Sequence, residues 1–154
     1  MEDNFLASVI ISIFMVILTT SVYYEILRLV WNAMPNFKKK PRRLINLVVI
    51  AIFAGHTFSV WAYGFVYWLL AHHFDFGNIA GGLDGTFISY VYFSAATYSS
   101  LGFGDVFPEG GLRMIAGVEV LNGLMLIGWS VTFTYIAMQQ FWNLHRPRGS
   151  KKKK

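Results

Sequence analysis

Thr97-Tyr98-Ser99-Ser100-Leu101-Gly102-Phe103-Gly104-Asp105 is the stretch on which the reading of this chain turns. From Ser100 to Gly104, ordinary residues alternate with glycine. Glycine accepts positive φ at no steric penalty. An alternation of that kind can turn successive carbonyls toward the same side. A row of carbonyls facing one axis is a ladder of oxygen ligands for a hard cation. One chain supplies one rail of the ladder. Encircling an ion takes several copies in a closed symmetric arrangement.

Moving outward, residues 86–98 form an apolar stretch too short to cross a bilayer. Residues 5–30, 44–70 and 112–141 each exceed the roughly 20 residues that a spanning helix needs. A short helix followed by irregular backbone, set between two spans, reads as a re-entrant segment. Such backbone is tolerated at membrane depth only where it is buried in protein or lines a polar path.

Composition agrees. Of 154 residues, 55% are hydrophobic, 18% aromatic and only 14% charged. Soluble domains carry about 25% charged residues, and one this short could not hide so much apolar surface. Disordered chains are polar and poor in aromatics. The absence of cysteine excludes a disulfide scaffold and a thiolate zinc site.

The net charge of +5 is explained by position. Lys38, Lys39, Lys40, Arg42 and Arg43 lie between the first two spans. Arg146, Arg148 and the lysines at 151–154 follow the third. Asp75, Asp84, Asp105 and Glu109 lie between the second and third, with Arg113 as the only base. Basic loops stay cytoplasmic. The basic loop and tail are therefore expected inside. The acidic segment and the N-terminus, with Glu2 and Asp3, are expected outside. No nucleic-acid partner is implied. The first span lacks a leading base and is too long for a signal h-region, so it reads as a retained helix. Trp31, Trp68 and Trp142 lie near span ends, as interfacial anchors do.

The 97–105 segment resembles the potassium channel signature, a threonine-rich stretch ending in valine, glycine, tyrosine, glycine and aspartate. Val106-Phe107-Pro108, Arg113, Gly117 and Gly123 extend the likeness into the inner helix of the family's two-helix pore module. The resemblance implies an all-α membrane protein. Each subunit would have three transmembrane helices plus a re-entrant pore helix and selectivity filter, in a four-fold symmetric homotetramer. Residues 1–43 would be an additional N-terminal helix with its basic loop. The pore domain would run over 44–142, with outer helix 44–70, turret 71–85, pore helix 86–98, filter 99–105 and inner helix 112–142. A basic tail, 143–154, would follow.

On that resemblance, carbonyls of Ser100, Leu101, Gly102 and Phe103 hold dehydrated K+, with Gly104 completing the filter. Ser100 keeps a hydroxyl where threonine is usual. Leu101 replaces valine and Phe103 replaces tyrosine. Phe93 and Tyr92 stand where the family often has tryptophans. Tyr92 is placed to hydrogen-bond Asp105 at the outer mouth. Thr97 ends the pore helix, whose negative dipole end favours a cation. Asp84 is placed to cap its start.

Glu119, ionisable and inside a span, is a functional position by default. It is expected behind the filter, bonded to Ser94, Thr97, Ser99 or Tyr98. Gly123 matches the family's hinge glycine, and close packing explains it equally well. Ile127, Val131, Tyr135 and Met138 share a helical stripe that would line a cavity or gate. His56 reads as bonded to a neighbouring helix. Arg28 is a single base placed to pair with Glu25, so no voltage sensor is expected.

The expected function is a potassium-selective channel of the plasma membrane, not an enzyme. It would need no cofactor besides the K+ it carries, and anionic lipid would lie at the basic loop and tail. The alternatives are a weakly selective cation channel on the same scaffold and a non-conducting subunit of a larger complex. An intramembrane enzyme using His56 and Glu119 is a distant third.

Overall fold

A computed structural model of the chain describes residues 2–34, 41–74, 76–82 and 84–145, with side chains over 5–34, 42–74, 76–82 and 84–139. The basic loop at 38–40, the tail at 146–154 and Asp75 lie outside these residues, and so do the lipid contacts expected there. The side chain of Trp142 is likewise outside them.

Four helices carry the chain: α1 (Glu2–Ala33), α2 (Pro41–His73), α3 (Phe87–Tyr98) and α4 (Leu112–His145). Three of them are long and apolar enough to cross a membrane, over Phe5–Ala33, Arg42–His73 and Leu112–Gln139. This is a membrane protein of the all-α class, as its sequence implies. The long helices carry apolar residues all round, which suits burial in lipid and protein together. On α1, Phe5, Leu6, Ile10, Ile13, Phe14 and Ile17 remain exposed, as lipid-facing side chains would.

Four expected boundaries shift. The second helix begins at Pro41 rather than 44, because proline at the first helical position gives up an amide that has no partner there anyway. It also runs to His73, shortening the expected turret. The fourth helix continues past 142 to His145. Thr86 is the N-cap of α3 rather than its first residue.

The turret holds a feature that an all-helical reading omits. Strand β1 (Ile79–Gly81) pairs antiparallel with β2 (Val106–Pro108), so Ile79 faces Pro108 and Gly81 faces Val106. This ladder joins the loop before α3 to the loop after it. Further bonds extend the seam: Glu109 N–H to the Asn78 carbonyl (2.8 Å) and Gly111 N–H to the Phe76 carbonyl (2.9 Å). Ser8 Oγ on α1 donates to the Gly111 carbonyl at 2.9 Å.

Helix α1 packs on both α2 and α4, and α3 wedges against α2 and α4. The core has two parts. Near the turret, Tyr63, Tyr67, Tyr90, Phe93, Leu112 and Ile115 cluster. Toward the other end, Tyr23, Leu27, Val48, Ile52, Tyr98 and Leu126 do. Both draw on several helices, so α3 is held from two sides. Trp31 lies edge-on to Phe133, and Trp68 packs with His72, His73 and Phe87. Arg28 pairs with Glu25 at 3.0 Å on an exposed face, a kind of pair that adds little stability.

Candidate functional site

The site begins where α3 ends. The Ser99 N–H still bonds to the Ala95 carbonyl, at 3.2 Å. Three further amides then turn back onto the helix terminus. Ser100 N–H meets the Thr97 carbonyl at 2.9 Å. Leu101 and Gly102 N–H both meet the Ala96 carbonyl, at 2.9 and 3.3 Å. In a trans peptide the N–H and the preceding C=O point opposite ways. The carbonyls of Ser99, Ser100 and Leu101 therefore face away from the helix end. Among the described residues, no group donates to the carbonyls of Ser100, Leu101, Gly102 or Phe103.

Backbone handedness alternates along the same segment. Ser100, Gly102 and Gly104 have φ of 58°, 52° and 81°, while Leu101 and Phe103 keep negative φ. At Gly102 and Gly104 an added Cβ would meet nothing within 4 Å. Conformation, not space, calls for glycine there. Ser100 adopts the left-handed region without that licence, at a cost of about 1–2 kcal/mol. The glycine pattern in the sequence pointed to left-handed backbone at 102 and 104 but not at Ser100. The bond of Ser100 N–H to Thr97 fixes it there.

Around this strand lies an aromatic and carboxylate surround. The Tyr92 ring stacks on Phe103, with centroids 6.5 Å apart and planes 6° apart. Its hydroxyl donates to Asp105 Oδ2 at 2.8 Å. That bond holds the Tyr92 hydroxyl above the usual phenol range. Phe93 is buried and meets Tyr67 edge-on at 5.0 Å. At the start of α3, Asp84 Oδ1 accepts from the Thr86 N–H (3.1 Å), the Thr86 hydroxyl (2.8 Å) and the Ser89 hydroxyl. It thus braces the entry to α3 instead of capping the amides of its first turn. The Ser89 hydroxyl, then Thr86, holds its carboxyl below the usual range.

These observations together describe a short helix delivering unpaired carbonyls between two apolar spans. A family model described as ion channel matches residues 47–140. The chain belongs to the ion-channel family. Its members conduct ions rather than catalyse reactions. The match takes in most of α2, then α3, the 100–104 segment and most of α4; α1 lies outside it. The chain is thus a pore-loop module with an extra N-terminal helix. No curated protein and no solved structure matches it significantly.

Behind the channel's α3, Glu119 is fully buried. Its Oε1 accepts from Ser94 Oγ and its Oε2 from Tyr67 Oη, both at 2.5 Å. Ser94 Oγ also lies 2.9 Å from the Val60 carbonyl. Of the four partners expected for Glu119, Ser94 alone bonds to it. Ser99 Oγ donates to its own helix, at the Ala95 carbonyl (2.7 Å). The Tyr98 hydroxyl meets His56 on α2 at 2.8 Å, and Thr97 makes no bond to Glu119 among the described residues. The partner that sequence reasoning missed is Tyr67, 52 positions away. One turn along α4, Asn122 Nδ2 donates to Thr19 Oγ1 on α1 (2.7 Å) and Tyr63 Oη on α2 (3.2 Å).

Gly123 lies within an unbroken α4, and a Cβ there would collide with the Tyr98 carbonyl. Close approach of two backbones is thus a sufficient reason for glycine at this position. On the expected lining stripe, Ile127, Val131 and Tyr135 are exposed and Met138 is half-buried. Tyr135 Oη accepts from Gln139 Nε2 at 2.6 Å.

His56 has more partners than one neighbouring helix would give. Its Nδ1 lies 2.8 Å from Tyr98 Oη on α3, and its Nε2 lies 2.8 Å from Ser130 Oγ on α4. Ser130 Oγ in turn lies 2.5 Å from Tyr23 Oη on α1. No local signal marks these residues. The hint available in the sequence is that polar side chains recur at span interiors, where each needs a partner.

Proposed function

We propose that four copies of this chain enclose a potassium-selective pore, with carbonyls of Ser100, Leu101, Gly102 and Phe103 replacing the hydration shell of the ion. The observation that carries the reading is the backbone at 100–104. Its first three amides fold back on α3, its handedness alternates, and the carbonyls of Ser100 to Phe103 are left without donors among the described residues. Such carbonyls at membrane depth are stable only with a polar occupant, and K+ is an occupant that carbonyl rings accept. Each chain offers one rail, so a closed ring of copies is required, and four is the number the family resemblance implies.

Asp105 and Glu109 would sit at the outer mouth and raise the local cation concentration. Gly123 would serve as a contact point or hinge, and the stripe from Ile127 to Met138 would line the path below. The N-terminus would lie outside the plasma membrane and the C-terminus in the cytoplasm.

Reversal potentials of the purified chain in planar bilayers, under equal and opposed potassium and sodium gradients, test this. The expected reversal lies close to the potassium equilibrium value. A reversal near zero would instead support weak selectivity, the reading favoured by Phe103, which has no hydroxyl to brace the filter. A verified tetramer without barium-sensitive potassium flux would make the chain a non-conducting subunit.

A further inference from the structure

We infer that helix α1, which lies outside the family match, is coupled to the ion path through His56, a positioning residue for the filter backbone. The inference rests on the pore reading above.

The argument starts from a count of protons. Ser130 Oγ lies 2.8 Å from the Leu126 carbonyl, which can only accept. The single hydroxyl proton of Ser130 goes there. Ser130 must then accept from its other two neighbours, Tyr23 Oη at 2.5 Å and His56 Nε2 at 2.8 Å. With the proton on Nε2, Nδ1 of a neutral imidazole is bare and accepts from Tyr98 Oη at 2.8 Å. Each of these protons then has one acceptor, and Ser130 Oγ and the bare Nδ1 are both filled; Tyr23 Oη lies a further 3.4 Å from His56 Nε2. The tautomer follows from the partners. A chain of directed bonds thus runs across α1, α4, α2 and the last residue of α3.

Packing supports the same path. The Tyr23 ring reaches His56 with centroids 5.1 Å apart, and His56 meets Tyr98 edge-on at 5.8 Å. A Cβ at Gly55 would overlap the Tyr23 ring, at 2.6 Å from its nearest carbon, so a small residue beside His56 makes the approach possible. Tyr23, Tyr98 and Ser130 are buried, where an unmade hydrogen bond is costly.

The consequence falls on Tyr98. Its hydroxyl is tied to His56, and its carbonyl abuts Gly123. Two residues later, Ser100 begins the alternating backbone. The position of the filter's first carbonyls is thus fixed from both ends of one tyrosine, and one of those ends leads to α1. The Asn122–Thr19 bond is a second, parallel tie between α1 and α4.

The test uses the full chain in liposomes and reads the potassium-to-sodium permeability ratio. His56→Phe and Tyr98→Phe each break the His56–Tyr98 bond, and each is expected to lower the ratio about tenfold. Tyr23→Phe, one bond further away, is expected to lower it about threefold. His56→Gln, whose amide both donates and accepts, is expected to stay close to wild type. Should His56→Phe fail to assemble, the two tyrosine variants, which each delete one oxygen, carry the test. Tyr23 and Tyr98 share no hydrogen bond, so their effects on the unfolding midpoint add unless His56 couples them. Non-additivity is expected. A conducting wild type whose Tyr98→Phe ratio is unchanged, with additive midpoints, overturns the inference and leaves the pore reading intact. A wild type without flux removes the pore reading, and the inference about the ion path with it.

Discussion

The two ends of α3 are held by opposite means. At its start, Asp84 gathers donors from Thr86 and Ser89, all within five positions and all exposed. At its end, Tyr98 meets His56, 42 positions away, and its carbonyl meets Gly123. Midway, Ser94 meets Glu119, 25 positions away, in a fully buried pair. Local exposed bonds compete with water and contribute little net stability; buried bonds between distant elements are costly to lose. The helix is therefore anchored where the carbonyl segment begins and only lightly tied where it enters. An element meant to hold backbone atoms in register needs its rigidity at that end.

The sharpest way to break this asymmetry is at Gly123. Gly123→Val puts carbon atoms where the Tyr98 carbonyl now lies, and backbone cannot swing aside as a flexible side chain can. We expect destabilisation toward the top of the ~1–3 kcal/mol range of overpacked sites, read as a lowered unfolding midpoint in detergent. Gly128→Ala is the control, because an added methyl there meets nothing within 4 Å in the chain. It is expected to leave the midpoint unchanged or raised, since alanine suits a helix better than glycine. Equal losses in both variants would show that α4 needs glycine for bending, not for the contact with α3.

Next in size is Glu119. Glu119→Leu leaves the Tyr67 hydroxyl buried without its acceptor, at about 1–3 kcal/mol, while Ser94 keeps the Val60 carbonyl as an acceptor. Glu119→Gln keeps one acceptor for Tyr67 and supplies donors to Ser94, whose own proton is then free for the Val60 carbonyl. The expected order of unfolding midpoints is wild type close to Gln, with Leu well below. A Gln variant as unstable as Leu would show that the carboxylate charge, not the hydrogen-bond pattern, holds the middle of α3.

This gradient also separates what the sequence could tell from what it could not. Spans announce themselves by apolar length, and the 97–105 segment by glycine spacing, both local properties. The positive φ of Ser100 was not legible, because serine carries no preference for it and the bond back to Thr97 is a property of the folded chain. Tyr67 and Ser130 were missed because contacts across 52 and 74 positions leave no periodic trace. The β1–β2 ladder, three residues on each side, was too short to rise above its loops. For Glu119, burial could be inferred from its place inside a span, and of the four alternative partners Ser94 is the one that bonds to it. The Ser99 hydroxyl is taken by its own helix and the Tyr98 hydroxyl by His56.

The smallest effect belongs to Asp84. Three donors favour its ionised form in the folded chain, so its carboxyl titrates below the usual carboxylate value. A group lowered by folding adds stability above its unfolded value, about pH 4, and loses that contribution as pH falls through the folded value. Asp84→Asn should therefore melt slightly below wild type at pH 7, and the two curves should draw together as pH falls below about 4. Full exposure keeps the gap small, because water competes for the same oxygens. A gap at pH 7 as large as that of Glu119→Leu would reverse the asymmetry. It would mean that the entrance of α3, rather than its buried end, bears the load of holding the carbonyls in place.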